Sequence, residues 1–284
     1  MLHRETSILD NHLPIDDEYI IIGDIHGCID ELKELLIRHG FIIDNRGLIN
    51  TSLSNKSIIL LGDFVDKASH EKISETIDFI YNNYYHLNKN IKKFYLIRGN
   101  HEEMVYRFIS NDPTLEQTPK RLKEKNLYYN TSSFLEKNLV QKEKFLKLYD
   151  ECVIWLKYDY SKEFSITLTH APCEEKYLAK EDKLSQSKMV KSESRSQNRG
   201  MKLDDLMPYI HTEAKDNRHY HLFGHLSQPN IRRYKNRICI DTSAIYGGFL
   251  SCAIIKKEQL LFDTIPFQNV QKRASQTYNI LFDF

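Results

Sequence analysis

Three short apolar runs open the first hundred positions, and a polar stretch with helical patterning follows each one. The runs are EYIIIGDI (18–25), SIILLGDF (57–64) and KKFYLIRGN (92–100). Their apolar residues are nearly continuous rather than alternating, which is the pattern of strands buried on both faces. After the first run, CIDELKELLIRHG (28–40) places Ile29, Leu32, Leu35 and Leu36 at helical spacing and ends on a glycine suited to a helix C-terminus. HEKISETIDFIYNNYY (70–85) carries Ile73, Ile77, Ile80 and Tyr81 on one face, and EEMVYRFI (102–109) starts a third helix. The order β-α-β-α-β-α predicts an α/β fold with helices flanking a sheet.

Residues 112–150 are polar and helix-prone, with scattered Leu, Phe and Tyr. They predict a helical lobe inserted in the fold rather than a separate domain. CVIWLKYDY (152–160) and FSITLTH (164–170) predict a hairpin across Ser-Lys-Glu. Residues 174–218 are again polar. Within them KLSQSKMVKSESRSQNRG (183–200) is low in apolar residues and is the segment expected to be a mobile loop. RHYHLFGH (218–225), RICIDTS (237–243) and LSCAIIKKEQLLF (250–262) predict further strands. Residues 1–284 thus read as one catalytic domain, with 112–150 as its lobe and 174–218 as its variable, partly mobile loop.

Composition narrows the function classes. The chain has 284 residues, 41% of them apolar, enough for a sizeable core. Charged residues make up 28% and nearly balance to a net +1, which excludes nucleic-acid binding by gross charge. The basic runs KRLKEK (120–125) and IRRYKNR (231–237) read as solvated faces. Five cysteines are widely spaced with no C-x-x-C, so neither a disulfide framework nor a zinc ribbon is expected. The N-terminal residues lack the apolar core of a secretory signal, and no run approaches the roughly 20 apolar residues of a membrane span. The expectation is a cytoplasmic, monomeric protein that makes no membrane contact.

The chemistry lies where the strands end. The first three apolar runs end in Gly23-Asp24-Ile25-His26-Gly27, Gly62-Asp63-Phe64-Val65-Asp66 and Gly99-Asn100-His101-Glu102. Ligands of α/β sheets bind beyond the carboxyl ends of strands, so motifs about 40 positions apart should meet there. Later strands add His170 (SITLTHAP) and His225 (HLFGHLS). Asp24, His26, Asp63, Asn100, His170 and His225 combine hard oxygen donors with imidazoles and include no thiolate. That set suits Mn, Fe or Zn. Six side chains are too many for one catalytic ion with open positions, and they suit two divalent ions with Asp63 as the bridge. Such a pair attracts phosphate and activates a bound water to attack phosphorus in line. His101 is then free to protonate the leaving group, and Asp66 to orient it. Taken singly, each motif reads as a turn, a helix cap or an ordinary strand-end histidine. The ordered set points to a metal centre. His39, His70, His86, His211, His219 and His221 read as surface or packing residues.

GDIHGC, GDFVDKA and RGNHE, with the single histidines of THAP and GHLS, resemble the calcineurin-like metallophosphatases, and more narrowly their phosphoprotein phosphatase branch. CIDTSAIYGGFLSCAII (239–255) is similar to the ending of bacterial and phage members and of the related diadenosine tetraphosphatases. The resemblance covers roughly residues 18–256. It implies a two-sheet β-sandwich flanked by helices, which replaces the single parallel sheet of the pattern reading. It also implies the two-metal centre described above, with Mn2+ the expected metal. The family pattern GDxxDRG ends here in Asp66-Lys67-Ala68. The family's arginine contacts substrate phosphate. Lys67 keeps the charge but loses the planar two-pronged donor. Arg98 is then the second basic contact, and Tyr246 joins them as a candidate pocket wall. The resemblance implies a phosphomonoesterase acting on phosphoprotein, chiefly on phosphoserine and phosphothreonine. Two alternatives stand beside it. One is a diadenosine polyphosphate or polynucleotide-end phosphatase, and the other is a pseudo-phosphatase that binds phosphoprotein without turnover.

Overall fold

Four residues of the first strand, β1 (Glu18–Ile22), point alternately into two different cores. Ile20 and Ile22 pack toward helices, while Tyr19 and Ile21 pack toward a second sheet. This two-sided burial is why the run is continuously apolar. In the computed structural model, which describes residues 11–50, 55–111, 130–191 and 214–268, the same division recurs in β2 (Lys56–Leu60) and β3 (Phe94–Leu96). Ile58, Leu60, Phe94 and Leu96 face the helices, and Ile59 and Tyr95 face the other sheet.

The strands β1, β2 and β3 are parallel, with Ile20 opposite Ile58 and Ile58 opposite Phe94. Helices α1 (Ile29–Arg38) and α2 (His70–Leu87) are the crossovers between them, and α3 (Asn100–Ile109) follows β3. Ser69 caps α2 by accepting the Lys72 N–H. The hairpin β9 (Phe249–Lys256) and β10 (Gln259–Pro266) completes this sheet, with β9 antiparallel to β1. The sheet order is β10-β9-β1-β2-β3.

The second sheet has the order β4-β5-β6-β8-β7. Its strands are β4 (Trp155–Asp159), β5 (Ser165–Thr169), β6 (His219–Phe223), β7 (Arg232–Tyr234) and β8 (Arg237–Cys239). Strands β5, β6 and β8 run parallel, and the expected hairpin β4–β5 is present. Leu156, Tyr158, Ile166, Leu168, Leu222 and Ile238 fill the space between the sheets. The architecture is therefore the two-sheet sandwich flanked by helices.

Two expectations change. Residues 183–191 form a helix, α6 (Lys183–Lys191), with Met189 and Val190 buried. The carbonyl of Met189 accepts the Ala171 N–H, which ties this helix beside His170. A sparse apolar content hid two well-placed anchors. The run 231–237 is the β7–β8 hairpin rather than a wholly solvated face, because Arg232 and Arg237 are buried. Of the lobe, residues 130–151 form α4 (Asn130–Lys137) and α5 (Leu139–Glu151), whose Leu135, Phe145, Leu148 and Tyr149 join the core outside β1–β3. The basic run 120–125, the rest of the lobe through 129, residues 192–213 and His211 lie outside the described residues.

Fully buried Asn83 on α2 holds the loop after α1. Its side chain accepts the Ile49 N–H at 2.7 Å and donates to the carbonyls of Gly47 and Phe79, both at 2.9 Å. Asn83→Ala leaves the Ile49 N–H buried without its partner and should destabilise the fold by about 2 kcal/mol. A lowered urea midpoint with an unchanged m-value checks this.

Candidate metal centre

The loops at the carboxyl ends of β1, β2 and β3 converge with those of β5 and β6. A close approach of the second and third loops makes this possible. A Cβ on Gly99 would lie 2.2 Å from Asp63 Oδ1 and 2.3 Å from its backbone nitrogen, so only glycine fits there. Gly224 serves the β6 loop in the same way, since a Cβ there would lie 2.0 Å from Asp24 Oδ1.

Asp63 stands at the junction. Its Oδ2 is 3.5 Å from His26 Nε2 and 3.9 Å from His101 Nε2, and its Oδ1 is 3.4 Å from His170 Nε2. Asn100 Oδ1 lies 3.0 Å from His170 Nε2 and 2.7 Å from His225 Nδ1. Two buried groups could each hold a metal ion: His26, Asp63 and His101, and Asp63, His170 and His225. Asp63 belongs to both, as the sequence suggested for a bridge. Asp24, expected beside His26, stands next to these groups. Its two oxygens face the His225 N–H at 3.1 and 3.2 Å. His101, expected to stand apart from the ligands, lies within reach of the first group.

The donor chemistry fits divalent ions. His26 Nδ1 faces the Val65 carbonyl at 2.8 Å and His170 Nδ1 faces that of Leu61 at 2.7 Å. Each imidazole thereby directs Nε2 at Asp63, the arrangement found where histidine binds a metal. Electrostatics point the same way. Burial would raise the Asp63 carboxyl, but His170 and His101 hold it well below the usual range. Burial would lower His170, yet Asp63 holds it up at about 10. The two form a carboxylate–imidazolium pair, and a divalent ion held there would take the place of the His170 proton. Burial, followed by nearby Lys67 and His101, pushes His26 well down, so it is a neutral donor. Burial and then Asp241 raise Asp24.

Three further groups complete the floor. His101 Nδ1 lies 2.8 Å from Asp66 Oδ2, so the two residues that the sequence paired are in contact. Lys67 Nζ lies 2.6 Å from His26 Nε2 and 5.3 Å from the centroid of the Tyr246 ring. Tyr246 sits at the rim, 47% exposed. Arg98, expected at the phosphate, has its guanidinium 4.2 Å from the Tyr149 ring centroid and 3.6 Å from Glu103. Of the histidines read as packing, His221 is buried between Thr169 and Arg237, and His70 stacks on Phe134.

Glu102 has a part that the sequence only hinted at. Its Oε2 accepts the N–H groups of Asp63 (2.7 Å) and Gly99 (2.9 Å), and its Oε1 accepts that of Phe64 (2.9 Å). Burial and the Asp63 charge push its carboxyl up to about 7. The strain of the loops is concentrated here too. His26, Asp63, Asp66, Lys67 and His225 all have positive φ without being glycine.

Comparison with known proteins agrees with this site. A bis(5'-nucleosyl)-tetraphosphatase PrpE (asymmetrical) of Oceanobacillus iheyensis is 28% identical over 242 residues, which is 81% of this chain and 86% of that protein. The protein of the same name from Bacillus mycoides is 27% identical, covering 82% and 89%. A crystal structure of a cold-active protein tyrosine phosphatase superposes with a TM-score of 0.56 at 17% identity, covering 89% of this chain and 80% of that one, which speaks to the fold. Residues 19–234 match the family profile described as calcineurin-like phosphoesterase, a span that runs from β1 through both groups of donors. The chain therefore belongs to the calcineurin-like phosphoesterases.

Proposed function

We propose that the chain is a metal-dependent hydrolase of dinucleoside polyphosphates, cleaving a phosphoanhydride asymmetrically. The observation that carries the hydrolytic reading is Asp63, shared by two buried groups of metal-competent donors and flanked by the Asp66–His101 pair. The substrate class follows the two relatives, both named for asymmetrical tetraphosphate cleavage. Sequence motifs alone favoured phosphoprotein. Neighbours that share only the fold do not carry that substrate, so the nucleotide takes its place.

In this reading Asp24, His26, Asp63, Asn100, His170 and His225 would hold two divalent ions, with Mn2+ the first choice for such a donor set. Divalent ions, which this family uses, would supply charge on the phosphate oxygens and an activated water. The chain's own groups do the rest. Asp66 accepts the Nδ1–H of His101 and keeps Nε2 directed at the site. His101 delivers a proton from Nε2 to the departing oxygen. Lys67 offers its ammonium to a phosphate oxygen, and Tyr246 walls the rim beside it. One water is consumed, one P–O bond breaks, and a nucleoside triphosphate leaves a nucleoside monophosphate behind.

Purified protein with Mn2+ should convert diadenosine tetraphosphate into ATP and AMP in equal amounts, read by ion-exchange chromatography. Chelation should abolish turnover and added Mn2+ should restore it. ADP as the product, or turnover confined to phosphopeptides, would overturn the substrate assignment. His101→Asn should lower kcat by about 10²–10⁴ while metal content by elemental analysis stays at the wild-type level. Loss of metal in that variant would make His101 a ligand of the first group instead.

A further inference from the structure

The loop that carries Asp66 is held by a helix from the lobe. Asp66 and Lys67 are consecutive non-glycine residues with φ of +67° and +70°. Each left-handed residue of this kind costs roughly 1–2 kcal/mol, so the turn needs support from outside itself. The support comes from the first two residues of α4, about 65 positions downstream. Thr131 N–H donates to Asp66 Oδ1 at 3.0 Å, and Thr131 Oγ1 accepts the Asp66 N–H at 2.9 Å. Asn130 Oδ1 accepts the Lys67 N–H at 3.0 Å, and Asn130 Nδ2 donates to the Ala68 carbonyl at 2.6 Å. Four hydrogen bonds thus clamp three consecutive residues of the turn.

The geometry divides the Asp66 carboxylate in two. Oδ1 is held by α4, and Oδ2 accepts from His101 Nδ1 at 2.8 Å. Asp66 and Thr131 are both fully buried, so no water stands in for either partner. A carboxylate fixed at one oxygen has little freedom to turn at the other.

We propose that Thr131 is a positioning residue for His101, acting through Asp66, and that Asn130 locks the turn that Asp66 begins. This rests on the hydrolytic reading of the site. It makes the lobe part of the proton-delivery apparatus. Residues 130 and 131 set the orientation of the donor while touching neither the metal-competent groups nor the phosphate.

The test compares leaving groups. A proton donor matters most when the departing oxygen is a strong base. Phenyl phosphate therefore needs it more than p-nitrophenyl phosphate does. Thr131→Val keeps the side-chain shape and the backbone N–H to Oδ1 but removes the Oγ1 acceptor, which leaves the Asp66 N–H buried without a partner and loosens the left-handed turn that aims the carboxylate. With Mn2+ present, its kcat for phenyl phosphate should fall about tenfold further than its kcat for p-nitrophenyl phosphate. KM for each should stay within about twofold, because substrate binding is untouched. Thr131→Ser restores the acceptor and should remove the bias. Asn130→Ala should show the same bias in weaker form, and it stands in if Thr131→Val does not fold. Equal losses on both substrates, or a serine variant as biased as the valine one, overturn the proposal. If wild-type protein turns over neither ester nor diadenosine tetraphosphate, the hydrolytic reading falls instead. Crystal structures of wild type and Thr131→Val then decide the positioning claim. An Asp66–His101 hydrogen bond unchanged in the variant refutes it, and a carboxylate turned away from His101 upholds it.

Discussion

The Glu102 carboxylate is the interaction on which the site depends. Its two oxygens gather the N–H groups of Gly99, Asp63 and Phe64, drawing the loop after β2 against the turn after β3. Those amides have no partners in the sheet, because both chains have left their strands. An acid buried this deeply is unfavourable, and its raised carboxyl reflects that burial. The amides offset the penalty, since hydrogen bonds to an ionised group are worth about 1.5–3 kcal/mol each. In return Asp63 is held at φ +50°, and its Oδ1 accepts the His101 N–H at 3.0 Å. One carboxylate therefore orients another, and the second faces both groups of imidazoles. Gly99 belongs to the same constraint, because any side chain there would push the two loops apart.

The two sheets divide the task. The first supplies Asp24, His26, Asp63, Asn100 and His101 from the ends of its three parallel strands. The second supplies His170 and His225 from the ends of β5 and β6, which are parallel to each other. Parallel strands place their carboxyl ends along one edge, so residues distant in sequence meet without long excursions. The interior between the sheets, lined by Ile21, Ile59, Leu168 and Leu222, fixes one half of the site against the other. Close-packed interiors have low compressibility, which suits a centre whose donors must stay a few ångströms apart.

What the sequence disclosed follows from where each signal is stored. Continuous apolar runs marked β1, β2 and β3 because both faces of each are buried, and helical spacing marked α1 and α2. The donors were legible because all but His170 sit beside a glycine at a strand end, a local pattern that repeats. Other features depend on contacts between distant positions and leave no local trace. Thr131 in NTSSFL looks like any residue of a first helical turn, yet it meets Asp66 across 65 positions. Arg98 precedes the Gly-Asn-His motif and read as a phosphate contact, and nothing local announced that its guanidinium also meets Glu103 of α3 and Tyr149 of α5. The helix at 183–191 was hidden because two buried residues, Met189 and Val190, suffice to anchor it.

The same distinction explains why fold and chemistry were easier to read than substrate. Hydrolysis at phosphorus needs donors of fixed type at fixed separation, and these impose glycines, acids and histidines on strand ends. A nucleotide or a phosphopeptide presents the same phosphate to that floor. In the proposed reading, discrimination between them would fall to Lys67 on the floor, to Tyr246 at the rim and to segments inserted between the strands. Those positions answer to shape and charge rather than to coordination geometry, so many residue types serve. Lys67 is the instructive case. It stands where the family pattern has arginine, its backbone is clamped by Asn130, and its ammonium reaches both His26 and the Tyr246 ring. A point charge on a flexible stem can follow a polyphosphate chain as successive oxygens come within reach, whereas a planar fork favours one terminal phosphate held in one orientation. The departure from arginine therefore gives this floor a mobile point charge in place of a fixed two-pronged donor, a difference of positioning rather than of charge.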